Sequence, residues 1–532
     1  MSEHEELSAR RPYNAAADFV DANVARGNGK KTAFKEKDRA LTYGELQAAS
    51  CRFGRGLQKL GLRPESRVVF LHLDALEFPV AFWGAIRAGV IPIPLNTLLT
   101  LEQYAYMLED SRAEAILISP PLVNSILPIL DRLTWLKLAI VTGADKETPK
   151  LGKLAVKRFD EVVASGTPEV WHAPTISDEV AFWLYSSGST GASKGTRHVH
   201  SSLMVTAKLY GQDVLGIQPD DVVFSAAKLF FAYGLGNAMS FPMSVGATAV
   251  LMPDRPTPDS VLDVMRREQP TIFYGVPTLF SALLAHKDLG PGAGSKRLRL
   301  CTSAGEALPA NIGERWREVT GVDILDGIGS TEMLHIFVSN RPGDIRYGTS
   351  GKPVPGYGAK IVGDDGHECG DDEIGELVVR GSSSADGYWN QRAKSRRTFV
   401  GEWTYTGDKY IRDKEGYYLY CGRTDDMFKV SGIWVSPFEV EAALVSHEAV
   451  LEAAVIGKED SDGLIKPKAY VVLKQGFAPD AKLFEALRVH VKEKAGAWKY
   501  PRWIDVLAEL PKTATGKIQR FKLRDEDAGK VG

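Results

Sequence analysis

Two textures of apolar and polar positions alternate along this chain. In the first, short branched-apolar runs are followed by amphipathic stretches. Arg67-Val68-Val69-Phe70-Leu71-His72-Leu73 predicts a strand, Phe78 to Ala88 a helix and Val90 to Leu95 the next strand, with Gly89 ending the helix. The runs at Ala115–Ile118, Leu138–Val141, Val222–Ser225, Thr248–Leu251, Thr271–Tyr274 and Arg299–Thr302 repeat the pattern. Strands separated by helices in this rhythm predict an α/β fold with a parallel sheet. Thr42, with Glu45 three residues on, predicts a capping box for a helix through Ala48 to Leu60. The second texture starts at Lys360, where short strands and turns such as Asp364-Asp365-Gly366 and Asp413-Lys414-Glu415-Gly416 predict a β-rich subdomain. Gly422-Arg423-Thr424-Asp425-Asp426 is a polar break, and beyond it Val435–Val440 and Ala469–Leu473 carry strand and helix signals of their own. We place the main boundary there, giving domains 1–424 and 425–532. No repeat of solenoid length is present.

Composition narrows the function classes. The 532 residues are 44% hydrophobic and 25% charged, as in globular proteins, and exceed one ordinary core. With 65 Lys and Arg against 67 Asp and Glu there is no bulk positive field to hold nucleic acid or an anionic membrane. Ligands must therefore be sought in local sites. The acidic start Met1-Ser2-Glu3-His4-Glu5-Glu6 is not a signal peptide, and no apolar run approaches a membrane span. Cys51, Cys301, Cys369 and Cys421 lack metal-ligand spacing and read as thiols of a reducing compartment, so a cytoplasmic protein is expected.

One stretch organises the chemistry. In Trp183-Leu184-Tyr185-Ser186-Ser187-Gly188-Ser189-Thr190-Gly191-Ala192-Ser193-Lys194-Gly195 an apolar lead-in gives way to hydroxyls and glycines and ends at a lysine. Glycines let backbone N–H groups approach a polyphosphate, while hydroxyls and the ammonium supply donors and charge. It is not a Walker A loop, because Ser193 precedes Lys194 and Gly195 follows it. Arg299–Thr302 likewise empties into Ser303-Ala304-Gly305-Glu306. Small residues at two strand ends predict one crevice at the carboxyl side of a sheet.

Together these pieces resemble the acyl-adenylate-forming superfamily of acyl-CoA synthetases, luciferases and peptide-synthetase adenylation domains, over nearly the full length and in the family's motif order. Within it the chain is most similar to benzoate- and hydroxybenzoate-CoA ligases. The resemblance implies a large N-terminal domain with doubly wound sheets and a β-rich subdomain, and a small α+β C-terminal domain on a hinge at Asp425. It assigns the triphosphate of ATP to Ser186, Ser187, Gly188, Ser189, Thr190, Gly191 and Lys194, with Ser193 standing where proline is usual and predicting a more mobile loop. Ile328-Gly329-Ser330-Thr331-Glu332 matches the aromatic-Gly-x-Thr-Glu motif, which implies Thr331 at the α-phosphate and Glu332 on Mg²⁺; Ile328 replaces the usual tyrosine beside adenine. Ala304, Gly305, Glu306, Asp326 and Gly327 complete the nucleotide set, and Asp408 and Arg423 match the ribose motifs. In Thr513-Ala514-Thr515-Gly516-Lys517, Lys517 matches the catalytic lysine, with Lys512 a decoy. Gly432 is implied at the coenzyme A tunnel.

For the acyl group, Phe231, Tyr233 and His335 offer flat or polar walls, Ala232, Gly234, Ala304, Gly327 and Gly329 leave a slot, and Ser303 and Ile336 border it. A slot of this kind suits a planar ring better than a flexible chain. The function expected is an ATP-dependent ligase making aryl-CoA from benzoate or a hydroxybenzoate. Other small acids (aminobenzoate, cinnamate-type, medium-chain fatty acid), a luciferase-like or carrier-loading enzyme, and a non-catalytic acyl-AMP binder are the alternatives. Association into a homodimer is left open.

Overall fold

The computed structural model describes residues 3–143, 150–188, 191–424, 426–430, 433–461, 464–496, 499–512 and 518–529. By contact the chain divides into two compact units. The first comprises the chain up to Gly188 with Ala192–Gly358 and Val379–Thr404; the second comprises Ala359–Val378 and Tyr405–Gly532. This division does not coincide with the expected one after residue 424. Segments Ala359–Val378 and Tyr405–Arg423 carry strands of one sheet, and by contact these segments fall in the same unit as the residues that follow. A hinge at Asp425 concerns motion, and Asp425 lies outside the described residues.

The first unit is built on two largely parallel sheets. In the smaller, Ile91–Pro94, Arg67–Leu71, Ala115–Ile118, Leu138–Val141 and Ala155–Arg158 lie side by side, all pairs parallel. The larger has nine strands. At its centre Ile324–Gly329, Leu300–Ser303, Ile272–Gly275, Val222–Ser225, Thr248–Leu251 and Thr32–Glu36 run parallel, with antiparallel strands at both edges. Strands buried on both faces read as continuous apolar runs, which is why the sequence located most of them within a residue or two; Thr32–Glu36, Ala155–Arg158 and Ile324–Gly329, with polar or glycine positions, were not read as strands. Helix α1 (Tyr43–Lys59) begins with the expected capping box. The Thr42 hydroxyl accepts from the Glu45 N–H at 3.2 Å, and the Glu45 carboxylate accepts from the Thr42 N–H at 2.8 Å. Helix α2 (Glu77–Arg87) ends at Gly89, whose φ of +70° suits glycine.

In the second unit the C-terminal portion is α+β. Strand Val450–Glu459 pairs antiparallel with Ile465–Leu473, which pairs parallel with Trp503–Val506. Helices Pro437–Val445 and Ala481–Ala495 pack Val440, Leu444, Leu487 and Val491 into the same apolar core. Arg520 donates to both oxygens of Glu441, at 2.9 and 2.6 Å, and Arg524 to Asp426 at 2.7 Å. The last helix is thereby tied to the residue next to the expected hinge. The four cysteines are free thiols, and among the described residues no helix is long and apolar enough to cross a membrane.

Candidate functional site

The stretch read as a phosphate loop is mostly strand: β1 (Val180–Gly188) runs into its hydroxyl residues and β2 (Gly191–Val199) leaves it. The hydroxyl and glycine composition hides this in the sequence, and neighbours supply the pairing that propensity does not. Trp183 and Tyr185 anchor β1, the indole against Trp389 at 4.9 Å between ring centroids and the phenol donating to Asp110 at 2.7 Å. The expectation that Ser193 loosens this stretch meets two anchors. The Ser193 carbonyl accepts from the Tyr106 hydroxyl at 3.0 Å and from the Gln391 amide at 3.4 Å.

Thr331 and Glu332 sit on the connection between antiparallel strands β3 (Ile324–Gly329) and β4 (Ile336–Ser339), where Gly329 faces Ile336. A Cβ on Gly329 would stand 2.6 Å from the His335 carbonyl, so only glycine lets the chain turn this tightly. Three groups grip the turn's backbone. His198 donates from Nε2 to the Thr331 carbonyl at 2.8 Å, the Ala385 N–H to the Glu332 carbonyl at 2.8 Å, and the Ser383 hydroxyl to the Met333 carbonyl at 2.8 Å. A carbonyl only accepts, so His198 carries its proton on Nε2, and burial pushes its pKa down to about 4.

Glu332 is the centre of the site. Its Oε1 accepts from the Tyr388 hydroxyl at 2.7 Å, from the Ser186 hydroxyl at 3.2 Å and from the Lys194 ammonium at 3.4 Å. Burial pushes this carboxyl up, but the charge of Lys194, the Tyr388 hydroxyl, its own backbone N–H and the Ser186 hydroxyl outweigh it, and the group is held below its ordinary value. Glu332 therefore stays ionised, and its side-chain donors among the described residues, Tyr388, Ser186 and Lys194, all gather on Oε1. Mg²⁺ typically takes one or two carboxylates and completes its shell with phosphate and water. A single ionised carboxylate whose side-chain donors gather on one oxygen fits that demand, whereas no cluster of three or more His, Cys, Asp or Glu forms a cage among the described residues. Tyr388 escaped the sequence reading because Gly387-Tyr388-Trp389 carries no motif of its own. Its place is set by β5 (Gly387–Tyr388), which pairs antiparallel with β2 so that Tyr388 faces Thr196 and Lys194 is the diagonal neighbour.

The residues expected around the acyl group are held by packing and hydrogen bonds within the first unit. The Tyr233 hydroxyl, offered by the sequence as a partner for a ring substituent, lies 2.6 Å from Thr302 Oγ1. His335 is buried among Tyr210, Tyr233 and Phe241, and its Nε2 faces the Tyr233 carbonyl at 3.3 Å and Asn237 Oδ1 at 3.2 Å. The carbonyl fixes the proton on Nε2. Burial pushes the imidazole pKa down to about 3, so Nδ1 is a neutral acceptor, buried and, among the described residues, without a partner. Asn237 and Thr302 were missed because they matter only through these contacts. Ser303 and Asp326 lie side by side in register on adjacent parallel strands. Ala304 is buried and Gly305 turns with φ +94°. Asp326, expected at the nucleotide, accepts from the Leu308 N–H at 3.3 Å, and burial raises its carboxyl well above the ordinary value. A Cβ on Gly234 would meet the Lys228 carbonyl at 2.1 Å, which is why glycine closes the turn beside half-buried Phe231 and Ala232. Gly327, Ile328 and Ile336 lie on the paired strands, with Gly327 and Ile336 buried.

In the second unit Asp408 and Arg423 face each other across paired strands. Arg423 donates to Asp408 Oδ1 at 2.9 Å and to the Thr406 carbonyl at 3.1 Å. Ser189, Thr190, Asp425, Gly432 and Lys517 lie outside the described residues, as do the side chains of Ser187 and Ala192 and the surroundings of Gly188 and Gly191. Lys512, the decoy, pairs with Glu452 at 2.5 Å.

Comparison with known proteins places these features in a lineage. The AMP-binding enzyme profile matches residues 21–389, and the profile of the AMP-binding enzyme C-terminal domain matches 439–517. The chain is 54% identical over 527 residues to a 4-hydroxybenzoate–CoA/benzoate–CoA ligase of Rhodopseudomonas palustris, covering 98% of this chain and 95% of that one. The solved benzoate CoA ligase from Burkholderia xenovorans LB400 is 49% identical, with a TM-score of 0.88, covering 96% of this chain and 100% of that one. An anthranilate CoA ligase solved with anthranoyl-AMP is 44% identical, with a TM-score of 0.91 and 98% of each chain covered.

Proposed function

The chain belongs to the AMP-binding enzyme family, and from that premise we propose that it is an ATP-dependent aryl-CoA ligase acting on benzoate or a hydroxybenzoate. The full-length likeness to ligases of those acids carries the reading. A carboxylate is a poor electrophile because its charge repels nucleophiles. The acid oxygen attacks the α-phosphorus of ATP, pyrophosphate leaves, and the resulting mixed anhydride is open to the thiol of coenzyme A, with AMP as the second leaving group.

In this reading Ser186, Ser187, Ser189, Thr190 and Lys194, with the backbone at Gly188 and Gly191, hold the triphosphate, and Thr331 meets the α-phosphate. Glu332 holds Mg²⁺, whose charge, when bound, offsets that developing on pyrophosphate. Asp408 and Arg423 take the ribose, Lys517 meets the carboxylate and α-phosphate, Gly432 flanks the pantetheine and Asp425 is the hinge between the two half-reactions.

One observation favours a substituted ring over bare benzoate: the buried acceptor at His335 Nδ1 has no partner among the described residues. A ring O–H or N–H would supply one, and a site built to bond such a group rejects the analogue that lacks it. The test is pyrophosphate release and thioester formation with benzoate, hydroxybenzoates, aminobenzoates and hexanoate. An aryl acid is expected to lead; a wide win for hexanoate would end the aryl reading, and a wide win for benzoate would end the substituted-ring reading.

A further inference from the structure

We infer that Tyr388 is a positioning residue for the reaction: its hydroxyl holds Lys194 and Glu332 in a bridged arrangement that keeps one for phosphate and the other for the metal. The inference rests on the reading of Glu332 as the carboxylate that meets magnesium. A phenol has one proton and two lone pairs. The proton goes to Glu332 Oε1 at 2.7 Å, and one lone pair receives the Lys194 ammonium at 3.2 Å. Lysine and carboxylate remain 3.4 Å apart, longer than a direct charge-assisted bond, and the ammonium also lies 4.5 Å from the centre of the Tyr388 ring.

Without the hydroxyl, opposite charges in a part-buried place close on each other. Lys194 then has less to give to a triphosphate and Glu332 less to give to a cation. Tyr388 is itself fixed, as a group that orients others must be. It is almost fully buried, its N–H donates to Ser395 Oγ at 3.0 Å, its ring packs on Phe399 at 5.3 Å, and Thr398 Oγ1 lies 3.4 Å from its hydroxyl. The neighbouring Ser383 and Ala385 hold the same turn by its backbone. One segment thus sets both the height of the turn and the direction of its carboxylate.

The experiment uses the full chain with Tyr388→Phe, Thr398→Val and Glu332→Gln, and reads calorimetric binding of MgATP and of ATP with chelator, the Mg²⁺ concentration for half-maximal pyrophosphate release, and the KM for the acid. Losing a hydrogen bond to a charged group predicts roughly tenfold weaker MgATP binding and a matching rise in the Mg²⁺ requirement for Tyr388→Phe. Metal-free ATP binding should weaken as well, through Lys194 alone and so by less than MgATP binding, the KM for the acid should change less than about twofold, and Thr398→Val should shift MgATP binding in the same direction by about twofold. Wild-type MgATP binding by Tyr388→Phe, or equal loss for MgATP, metal-free ATP and acid, would overturn the inference. Should Tyr388→Phe not fold, Thr398→Val decides, and unchanged MgATP binding there overturns it. A Glu332→Gln variant that keeps its magnesium dependence would instead sink the metal reading itself; a shift there without one in Tyr388→Phe sinks only the role of the phenol.

Discussion

At His335 three constraints meet in one ring: a carbonyl that fixes the proton on Nε2, an aromatic cage that fixes the plane, and burial that keeps the imidazole neutral. The cage has no slack on one side. A Cβ on Gly236 would stand 2.4 Å from His335 Cδ2 and 3.0 Å from Phe241 Cζ. Gly236→Ala is therefore expected to push the ring aside, raising the KM for the aryl acid about tenfold or more with stability reduced by about 1–3 kcal/mol. Steady-state kinetics and urea unfolding check both, and an unchanged KM would detach His335 from the acyl pocket. The sequence pointed to His335 but not to its tautomer, because Asn237 and the Tyr233 carbonyl approach it only after folding.

Elements show where patterning suffices and where it does not. Helix α1 was legible down to its cap, since Thr42 and Glu45 are local signals and the buried positions recur at helical spacing. What the pattern does not reveal is how closely α1 approaches α2. A Cβ on Gly54 would meet the Gly84 carbonyl at 2.7 Å, and one on Gly84 the Ser50 carbonyl at 2.9 Å. Both clashes are with backbone, so Gly54→Ala should force the helices apart and lower unfolding free energy by about 1–3 kcal/mol despite alanine's better helix propensity. Denaturant titration reads this directly, and a stabilised variant would show that the crossing has room. The helical run from Ala232 to Val245 is another case, because it widens to π-helical turns over Gly236–Ser240, beside His335. Such turns recur at functional sites and have no sequence signature.

Over the whole molecule, buried imidazoles set the response to acid. Burial pushes His72, His198 and His200 down to about 4 and His335 to about 3, below the unfolded value near 6.5. Between these values the unfolded chain binds more protons than the folded one. The stability from neutral histidines is thus complete above pH 6.5 and falls as pH drops below it, by about 1.4 kcal/mol per unit for each group. Asp74, raised by burial to about 6, and Asp110, Asp326 and Glu376, also raised by burial, act with the opposite sign and offset part of the imidazole effect, to which His490, lowered by burial, adds. The melting temperature is expected to be several degrees lower at pH 5 than at pH 7. An equal or higher value at pH 5 would mean that these rings take up protons while folded.

The sequence by itself determined the α/β architecture, the position of most parallel strands to within a residue or two, the capped helix and the family, since each depends on local periodicity or on contiguous motifs. Only the tertiary structure decided that the hydroxyl-rich stretch is strand, that the β-rich segment groups with the C-terminal residues, and that Tyr388, Ser383, Ala385 and His198 grip the turn bearing Glu332. The reason is one of range. Tyr388 lies 56 residues from Glu332 along the chain, and strand pairing alone brings its hydroxyl to the carboxylate.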